Sequence, residues 1–408
     1  MKQLVNVSSM PWLPAIDSSW DVVRADHFLS VKKTVVGEKW PDYTLLSLTK
    51  AGVVIRDFTD RQGKLPETFD SYQEVQIGDL VMCLFDMDET PRTVGISSHR
   101  GMITGAYTTF QFDQTIVVPS YFEYLFISID DRKAFKAAYS GLRKTIRPPV
   151  FLSLRFPLPP LETQQRIADY LDRETAEIDA AVADLDRYVE LLESRKIEKL
   201  KELIFADNEG EFPLIPVQLL FRKISSGSTP KGEHFYAESG NGVPWVTTSE
   251  LREKIITETK KNVTPQAVEK VSGLVVFPRD TILIAMYGAT IGRFGRLGVN
   301  ATSNQACCAL IDPIGIDPEF FYYSLYVHSG ELVKQAFGGG QPNINQDTIR
   351  RFRAPVPSLA KQRKIAREMK ILVDETENII ADSTKLRDLL LKRRSVLITE
   401  VVTGRKQV

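Results

Sequence analysis

The residue types that commonly carry out catalysis occur in this sequence without the spacing that catalysis requires. None of the histidines belongs to an H-E-x-x-H pattern or lies beside a pair of cysteine ligands; they are His27, His99, His234 and His328. The few cysteines give neither a disulfide framework nor a metal-binding spacing; they are Cys83, Cys307 and Cys308. We therefore predict no catalytic residues, no metal site and no cofactor bound by this chain.

Two segments approach a nucleotide or methyl-donor motif, and both depart from it. Residues 288–295 are rich in glycine but lack the G-x-G-x-x-G spacing, so they are predicted to form a turn between strands. Pro148 and Pro149 match the proline pair of the Asn-Pro-Pro-Tyr motif of amino-methyltransferases, but Arg147 precedes them and Val150 follows them. The residues that would clamp a base are missing, and a methyl-donor site is not expected.

One segment of the sequence occurs twice. Residues 159–168 (PPLETQQRIA) return as residues 357–366 (PSLAKQRKIA), at a constant offset of 198. The same offset relates residues 191–195 to residues 389–393. A duplicated half-chain predicts a molecule with pseudo-two-fold symmetry, and two-fold molecules usually meet two-fold partners.

The repeat divides the chain into four segments, with bounds 1–155, 156–207, 208–355 and 356–408. The first and third mix strand and turn signals, and in each an Asp in a turn precedes a β-branched run, at Asp79 and at Asp280. These two segments share a frame but differ at most positions, as recognition modules with different targets would. Drift after an old duplication explains the same observation equally well.

The second and fourth segments are predicted to be long helices. Apolar residues of the second form a stripe, at Leu171, Ile178, Val182, Leu185, Val189 and Leu192. The fourth carries a heptad seam weakened by polar residues, at Met369, Leu372, Thr376, Ile379, Ser383, Leu386, Leu390, Arg393 and Leu397. Ser358 is a plausible N-cap of this helix, and Gly404 a C-terminal stop.

Charge predicts how the two helices pair. Residues 162–186 contain 8 acidic and 2 basic side chains, whereas residues 385–406 contain 7 basic and 2 acidic ones. An antiparallel pairing brings these halves together, and several pairs worth about 0.2–1 kcal/mol each suffice to select it. The alternative is a chance asymmetry of solvated faces.

Composition is that of an ordinary soluble protein. The chain has 408 residues, of which 43% are hydrophobic and 25% charged, and its formal net charge is zero because 52 basic residues balance 52 acidic ones. No apolar run approaches the roughly 18 residues of a membrane span, and the first residues lack a signal-peptide core. We expect a cytoplasmic protein with no membrane contact.

Taken with these patterns, the sequence resembles the DNA-specificity subunit of type I restriction-modification systems. The residues that carry the resemblance are the ranges 157–172, 178–179, 191–195 and 393–404, together with 226–231, 243–246 and 343–345. It extends over nearly the whole chain but is weaker over 1–155, where residues 143–147 (RKTIR) stand in place of residues 341–345 (QPNIN).

The resemblance implies a fold and a function. The fold is α+β, with two α/β target recognition domains joined by an antiparallel, coiled-coil-like pair of long helices. Each domain reads one half of a bipartite site in double-stranded DNA, and the helices set the gap. The chain is not itself an enzyme, because two methyltransferase subunits dock around the helices and supply S-adenosylmethionine and adenine N6 methylation. Restriction (motor-nuclease) subunits join through them.

Candidate residues for these roles follow from side-chain chemistry. Base and phosphate contacts need Arg, Lys, Asn, Gln, Ser, Thr or Tyr on loops. In the first domain the candidates are Arg92, Tyr107, Arg143, Lys144 and Arg147. In the second they are Ser228, Thr229, Lys231, Tyr287, Arg293, Asn304, Gln305, Gln341, Asn343 and Asn345. The residues for partner docking and spacing are Leu171, Ile178, Leu185, Leu192, Leu372, Ile379, Leu386 and Leu390.

Some of these residues have a second interpretation. Asn345 could equally cap a helix that starts at Gln346, and a nearby basic cluster fits a solvated strand edge better than a phosphate site; it comprises Arg350, Arg351 and Arg353. The whole chain could also be an assembly scaffold, which predicts no salt-dependent DNA binding, or a stand-alone DNA-binding regulator. The zero net charge disfavours the regulator, since non-specific affinity comes largely from basic surface.

Overall fold

A computed structural model describes residues 4–6, 8, 10–57, 66, 68–139, 144–205, 212–237, 241–336 and 343–408. The chain divides into two compact units, of which the first contains Met1–Asp186 and Lys385–Val408 and the second contains Arg187–Thr384. Each unit combines sheets and helices, in agreement with the predicted α+β class.

The first unit is built around a four-stranded antiparallel sheet of order β4-β11-β8-β9. Its elements in chain order are β1 (Leu4–Val5), β2 (Ile16–Asp17), β3 (Asp21–Arg24), β4 (Leu29–Lys32), β5 (Leu46–Thr49), β6 (Gly52–Ile55), β7 (Gln73–Val75), β8 (Leu80–Met82), β9 (Val94–Ile96), β10 (Gly101–Ile103), β11 (Thr108–Phe112), α1 (Pro119–Asp131), α2 (Pro148–Ser153), β12 (Arg155–Leu158) and the start of α3 (Leu161–Phe205). As predicted, β8 is a buried strand that follows the turn at Gly78 and Asp79. Phenylalanines of the sheet and of α1 and α2 fill one core with the ends of the long helices.

The second unit contains a five-stranded sheet of order β14-β22-β19-β20-β17 and a smaller sheet of order β15-β18-β16-β21. Its elements are β13 (Leu214–Pro216), β14 (Phe221–Ser226), β15 (Tyr236–Ala237), β16 (Val243–Val246), β17 (Lys254–Ile256), β18 (Asn262–Val263), α4 (Pro265–Lys270), β19 (Ile282–Ala285), β20 (Phe294–Leu297), β21 (Thr302–Ser303), β22 (Cys307–Pro313), α5 (Pro318–Lys334), α6 (Gln346–Arg351), β23 (Arg353–Pro355) and the start of α7 (Leu359–Val402). Cys307 and Cys308 are completely buried in β22, so they are core residues.

The apolar stripe predicted for α3 is buried at two positions and half-buried at the other four, whereas the seam predicted for α7 is exposed at three positions, one of which is Arg393. Leu171 and Ile178 are buried, whereas Ile379 is 42% and Leu386 is 49% exposed. Val373, one residue further along α7 than the predicted Leu372, is buried instead. Met369, Thr376, Ser383 and Leu397 remain buried at multiples of seven residues, so only the other row of the seam is displaced by one residue, toward Val373.

Polar residues predicted to weaken the α7 seam lie inside it. Thr376 and Ser383 are 7% and 8% exposed. The Thr376 hydroxyl donates to the carbonyl of Leu372 at 2.7 Å, which removes the cost of burying it. Gly404 ends the chain's last helix with a left-handed φ of 73°, as its position predicted.

In the first unit, oppositely charged residues of α3 and α7 pair. Arg387 lies 3.1 Å from Asp186, and Arg394 lies 2.8 Å from Asp179. On α7, Arg394 follows Arg387 by seven residues, whereas on α3 its partner Asp179 precedes Asp186 by seven residues. These two helical segments therefore run antiparallel and join the acidic part of α3 to the basic part of α7.

His328 of α5 gives the second unit a pH-dependent stability. Its ring lies between Phe205 and Phe352, at centroid distances of 6.5 and 6.1 Å, and among the described atoms its Nε2 is buried without a hydrogen-bond partner. Burial lowers the pKa of this histidine.

We expect protonation of His328 to destabilise the fold. Its pKa is lower in the folded state, so its contribution is complete above the ordinary pKa of about 6.5 and is lost as the pH falls below it. Urea unfolding at about pH 7 and pH 5 should show a larger loss of unfolding free energy for the wild type than for His328→Phe. Equal losses in the two proteins would contradict this assignment.

Candidate DNA interface

In the second unit, most predicted recognition residues lie at one end of the five-stranded sheet. Strand β14 ends at Ser226 opposite Cys308, and β19 ends at Ala285 opposite Cys307, where β22 begins. The segments that leave this end carry Ser228, Thr229, Lys231, Tyr287, Asn304 and Gln305. The pairing of β14, β22 and β19 thus places loops that are far apart in the sequence at the same end of the sheet.

The loop after β14 is held close to the smaller sheet. The Ser228 amide donates to the Ser303 carbonyl at 2.9 Å, and the Thr229 hydroxyl donates to the side-chain oxygen of Gln305. Gly227 permits this approach, because a Cβ there would lie 1.8 Å from the Ser303 carbonyl oxygen. Thr229 and Gln305 remain exposed and offer hydroxyl and amide groups to a ligand.

A second pair of segments meets at the same end. Tyr287, which is 37% exposed, forms a β-bridge with exposed Asn343, and the Ile344 amide donates to the Met286 carbonyl at 2.7 Å. Asn345 is the N-cap of α6, since its Oδ1 accepts from the Thr348 amide at 2.8 Å. Asn345 therefore caps a helix, as the second interpretation of this residue predicted.

Arg293 has a protein partner. Its guanidinium lies 3.2 Å from the Glu253 carboxylate, beside a cavity of about 730 Å³ that α3 and α7 also line. Burial raises the pKa of Glu253, and Arg293 opposes this shift. Arg350, from the basic cluster that follows Asn345 in the sequence, also has a protein partner, since its guanidinium donates to the Ile224 carbonyl at 2.8 Å. These contacts favour a structural role for both arginines.

The first unit repeats the arrangement at the corresponding end of its sheet. Strand β8 ends at Met82 opposite Thr108, where β11 begins, and Tyr107 immediately precedes that strand. Phe85 bridges to Thr145, and the Ile146 amide donates to the Leu84 carbonyl at 2.7 Å, as Ile344 does to Met286. The exposed Arg147 follows directly.

Other candidates of the first domain are held by neighbouring groups. Burial raises the pKa of Tyr107, whose ring stacks on Phe85 at a centroid distance of 6.4 Å. Lys144 pairs with Glu89 and with Asp88, and these hydrogen bonds raise its pKa. Arg147 is exposed and makes no ion pair among the described residues, so it is better placed than Lys144 to contact DNA. Arg143 and Gln341 lie outside the described residues.

The side chain of Arg92 is 16% exposed and lies 3.2 Å from the Asp131 carboxylate and 3.6 Å from that of Asp130. Such a nearly buried arginine is unsuited to a base contact.

Sequence reasoning missed a basic and aromatic group beside the Ser228 loop. The Nζ of exposed Lys261 lies 5.2 Å from the centroid of the Tyr236 ring, and the Tyr236 hydroxyl donates to the Pro230 carbonyl at 3.3 Å. The Trp245 indole N–H donates to the Ser228 carbonyl at 3.1 Å. The sequence feature that could have indicated this group is the adjacent pair Lys260-Lys261, but two consecutive lysines are too common to predict a DNA contact.

The chemistry available at these ends is hydrogen bonding and charge, which suits recognition. Within the described ranges, no group of three or more His, Cys, Asp or Glu side chains could hold a metal ion. None of the helices in the described part of the chain is long and apolar enough to cross a bilayer.

Comparisons with known proteins identify the class. The family model "Type I restriction modification DNA specificity domain" matches residues 104–183 and 220–385. The Type I restriction enzyme MjaVIII specificity subunit of Methanocaldococcus jannaschii is 24% identical over 315 residues, which are 70% of each chain. The EcoR124I/EcoR124II specificity subunit of Escherichia coli is 21% identical over 210 residues, which are 50% of each chain.

A solved structure shows the same fold. It is described as "Structural basis underlying complex assembly and conformational transition of the type I R-M system", and one of its chains aligns with a TM-score of 0.65 and 13% identity. The alignment covers 96% of this chain and 99% of that one.

The chain belongs to the type I restriction-modification DNA specificity family, because the family model matches more than half of its residues. The predicted resemblance is confirmed, and with it a DNA-specificity role in a chain that is not itself an enzyme.

Proposed function

We propose that this chain reads a bipartite DNA target, with one recognition domain for each half-site. The observation that carries the proposal is the gathering of exposed polar side chains at the corresponding end of each unit's main sheet. The family model also matches two separate segments of the chain. Two such surfaces can read two half-sites in successive major grooves, about 34 Å apart.

Each surface offers different chemistry to its half-site. In the second domain, Thr229 and Gln305 present a hydroxyl and an amide, and Lys231 and Lys261 add positive charge for the phosphates. In the first domain Arg147 is exposed and makes no ion pair among the described residues, so it suits a guanine or a phosphate. Unlike surfaces predict unlike half-sites and hence an asymmetric target.

The long helices serve in this proposal as the spacer between the half-sites. The antiparallel ion pairs of the first unit support it. In the second unit, Lys196 of α3 pairs with Glu377 of α7 at 2.5 Å. A paired helical element of fixed register would give the two half-sites a fixed gap and the molecule its pseudo-two-fold organisation.

The outward faces of the helices are the proposed docking surfaces for methyltransferase subunits. In the first unit Leu386 and Leu389 are 49% and 55% exposed, and in the second Leu191 and Ile371 are both 58% exposed. A largely apolar groove of about 480 Å³ lies beside Ile371 and Leu372 in the second unit. Exposed apolar side chains on a helix favour burial by a partner.

In this assembly two methyltransferase subunits supply S-adenosylmethionine and the methyl transfer to adenine, and restriction subunits join through them. Of the residues predicted for docking and spacing, Leu171 and Ile178 are buried, so they face the interior of the first unit.

Methylation mapping of the host genome by long-read sequencing tests the proposal. We expect a bipartite adenine motif that disappears when the gene is deleted. Gln305→Ala should weaken or relax recognition of one half-site and Arg147→Ala that of the other, each by about 1–3 kcal/mol in specific binding. A contiguous motif, or the same half-site affected by both variants, would contradict the proposal. Salt-independent binding would favour the scaffold, and tight specific binding without methyltransferase subunits would favour the regulator.

A further inference from the structure

Two buried glutamines occupy equivalent places at the base of the two long helices. Gln164 lies in the first turn of α3 and Gln362 in the first turn of α7, and both side chains are completely buried. A buried amide that made no hydrogen bonds would be costly, so its partners define its role.

In the first unit, the Gln164 amide joins three stretches of backbone. Its Oε1 accepts from the Val118 amide at 2.8 Å, and its Nε2 donates to the carbonyls of Pro159 at 2.8 Å and Ile116 at 3.3 Å. Val118 is the N-cap of α1, whose own start has no side-chain cap. Gln164 thus ties α3 to the linker before it and to the start of the helix that packs on the recognition sheet.

In the second unit, Gln362 repeats this network atom for atom. Its Oε1 accepts from the Asp317 amide at 2.7 Å, and its Nε2 donates to the carbonyls of Pro357 at 2.8 Å and Gly315 at 3.2 Å. Asp317 is the N-cap of α5. In both units the oxygen faces an N–H and the nitrogen faces two carbonyls, so chemistry fixes the orientation of the amide.

We propose that Gln164 and Gln362 are positioning residues that fix the angle between each recognition domain and its long helix, and thereby the gap length that the complex accepts. The inference rests on the proposed bipartite target. A helix of 45 residues is a long lever. At 1.5 Å per residue, a tilt of about 3° at its base moves its far end by about 3.4 Å, the rise of one base pair.

The test replaces each glutamine by a residue of similar length that cannot make the network. Gln164→Met, Gln362→Met and the double variant keep an unbranched side chain of similar volume and lose the hydrogen bonds. Gln165→Met is the matched control, because Gln165 is exposed and its amide bonds only to Asp169, at 2.7 Å, among the described contacts. All proteins are assayed as the full chain assembled with its methyltransferase subunits.

The probes are duplexes that carry the mapped half-sites at gaps from two base pairs shorter to two longer than the native one. We expect the preference for the native gap over a gap changed by one base pair to fall about tenfold in the double variant. Each single variant should lose part of that preference, whereas the control keeps it and affinity for a single half-site is unchanged throughout.

A thermal melt distinguishes a loosened junction from an unfolded protein. If the double variant does not fold, the single variants carry the test, since each keeps one network intact. Folded single variants with the wild-type gap preference would overturn the proposal. A wild-type complex without any gap preference would instead overturn the bipartite target itself.

Discussion

Gly227→Ala should remove most site-specific DNA binding. The new Cβ would lie 1.8 Å from the Ser303 carbonyl oxygen, far closer than non-bonded carbon and oxygen atoms can approach, so the loop that carries Ser228 and Thr229 must move away from β21. That movement breaks the hydrogen bond of the Ser228 amide to Ser303 and the pairing of Thr229 with Gln305. We expect a loss of about 2 kcal/mol or more in specific affinity, roughly 30-fold, measured by titration of the assembled complex with its mapped target.

A second glycine provides the control for this prediction. Gly330 lies inside α5, and a Cβ added there would meet nothing within 4 Å. Gly330→Ala should therefore leave DNA affinity unchanged and raise the unfolding free energy by about 0.5–1 kcal/mol, because alanine has the higher helix propensity. Equal DNA affinities for the two alanine variants would exclude the Gly227 loop from the interface.

Asp130→Ala should cause the largest loss of stability in the first unit. Its carboxylate is 1% exposed and accepts from the Thr93 amide at 3.0 Å, from the Thr93 hydroxyl at 2.7 Å and from Lys133 at 3.0 Å. Arg92 lies 3.6 Å away. Removing the acid leaves the buried Thr93 amide and hydroxyl without their acceptor and Arg92 with Asp131 as its remaining carboxylate, and breaking such a buried charged network typically costs about 3–5 kcal/mol. Urea unfolding monitored by circular dichroism measures this loss.

The neighbouring residue supplies the comparison. Asp131 is 24% exposed and contacts Arg92 alone, at 3.2 Å, among the ion pairs of the described residues. Asp131→Ala should cost about 1 kcal/mol or less, as partly exposed pairs do. If the two substitutions had equal costs, the carboxylate of Asp130 would not be the group that anchors Thr93 at the start of β9.

Much of the fold could be predicted from periodicity and repetition. The duplicated segment located both long helices, and the apolar runs located the buried strands β8 and β19. The charge asymmetry indicated the pairing that Arg394 and Asp179 make. These signals depend on neighbouring residues or on counts along the chain, so a single sequence is enough to detect them.

The candidate site was less predictable because its chemistry depends on contacts that are distant in sequence. Lys144 and Arg92 are typical DNA-binding residue types, yet they pair with carboxylates that lie 56 and 39 residues away in the sequence, Asp88 and Asp131. Exposed Lys261 carried no motif, although the fold brings it next to Tyr236. The seam of α7 shifted because tertiary contacts, and not the heptad alone, decide which face of a helix is buried.

The division of the chain into units has a consequence for biosynthesis. The second unit is one continuous stretch, Arg187–Thr384, whereas the first unit includes residues 385–408, which are translated after it. Ile398, Val401 and Val402 belong to the first unit's core and are completely buried there. Although the first recognition segment leaves the ribosome early, its core stays incomplete until these last residues emerge. The second unit can therefore fold first, and the first unit, which waits, is the part of the nascent chain that we expect chaperones to protect.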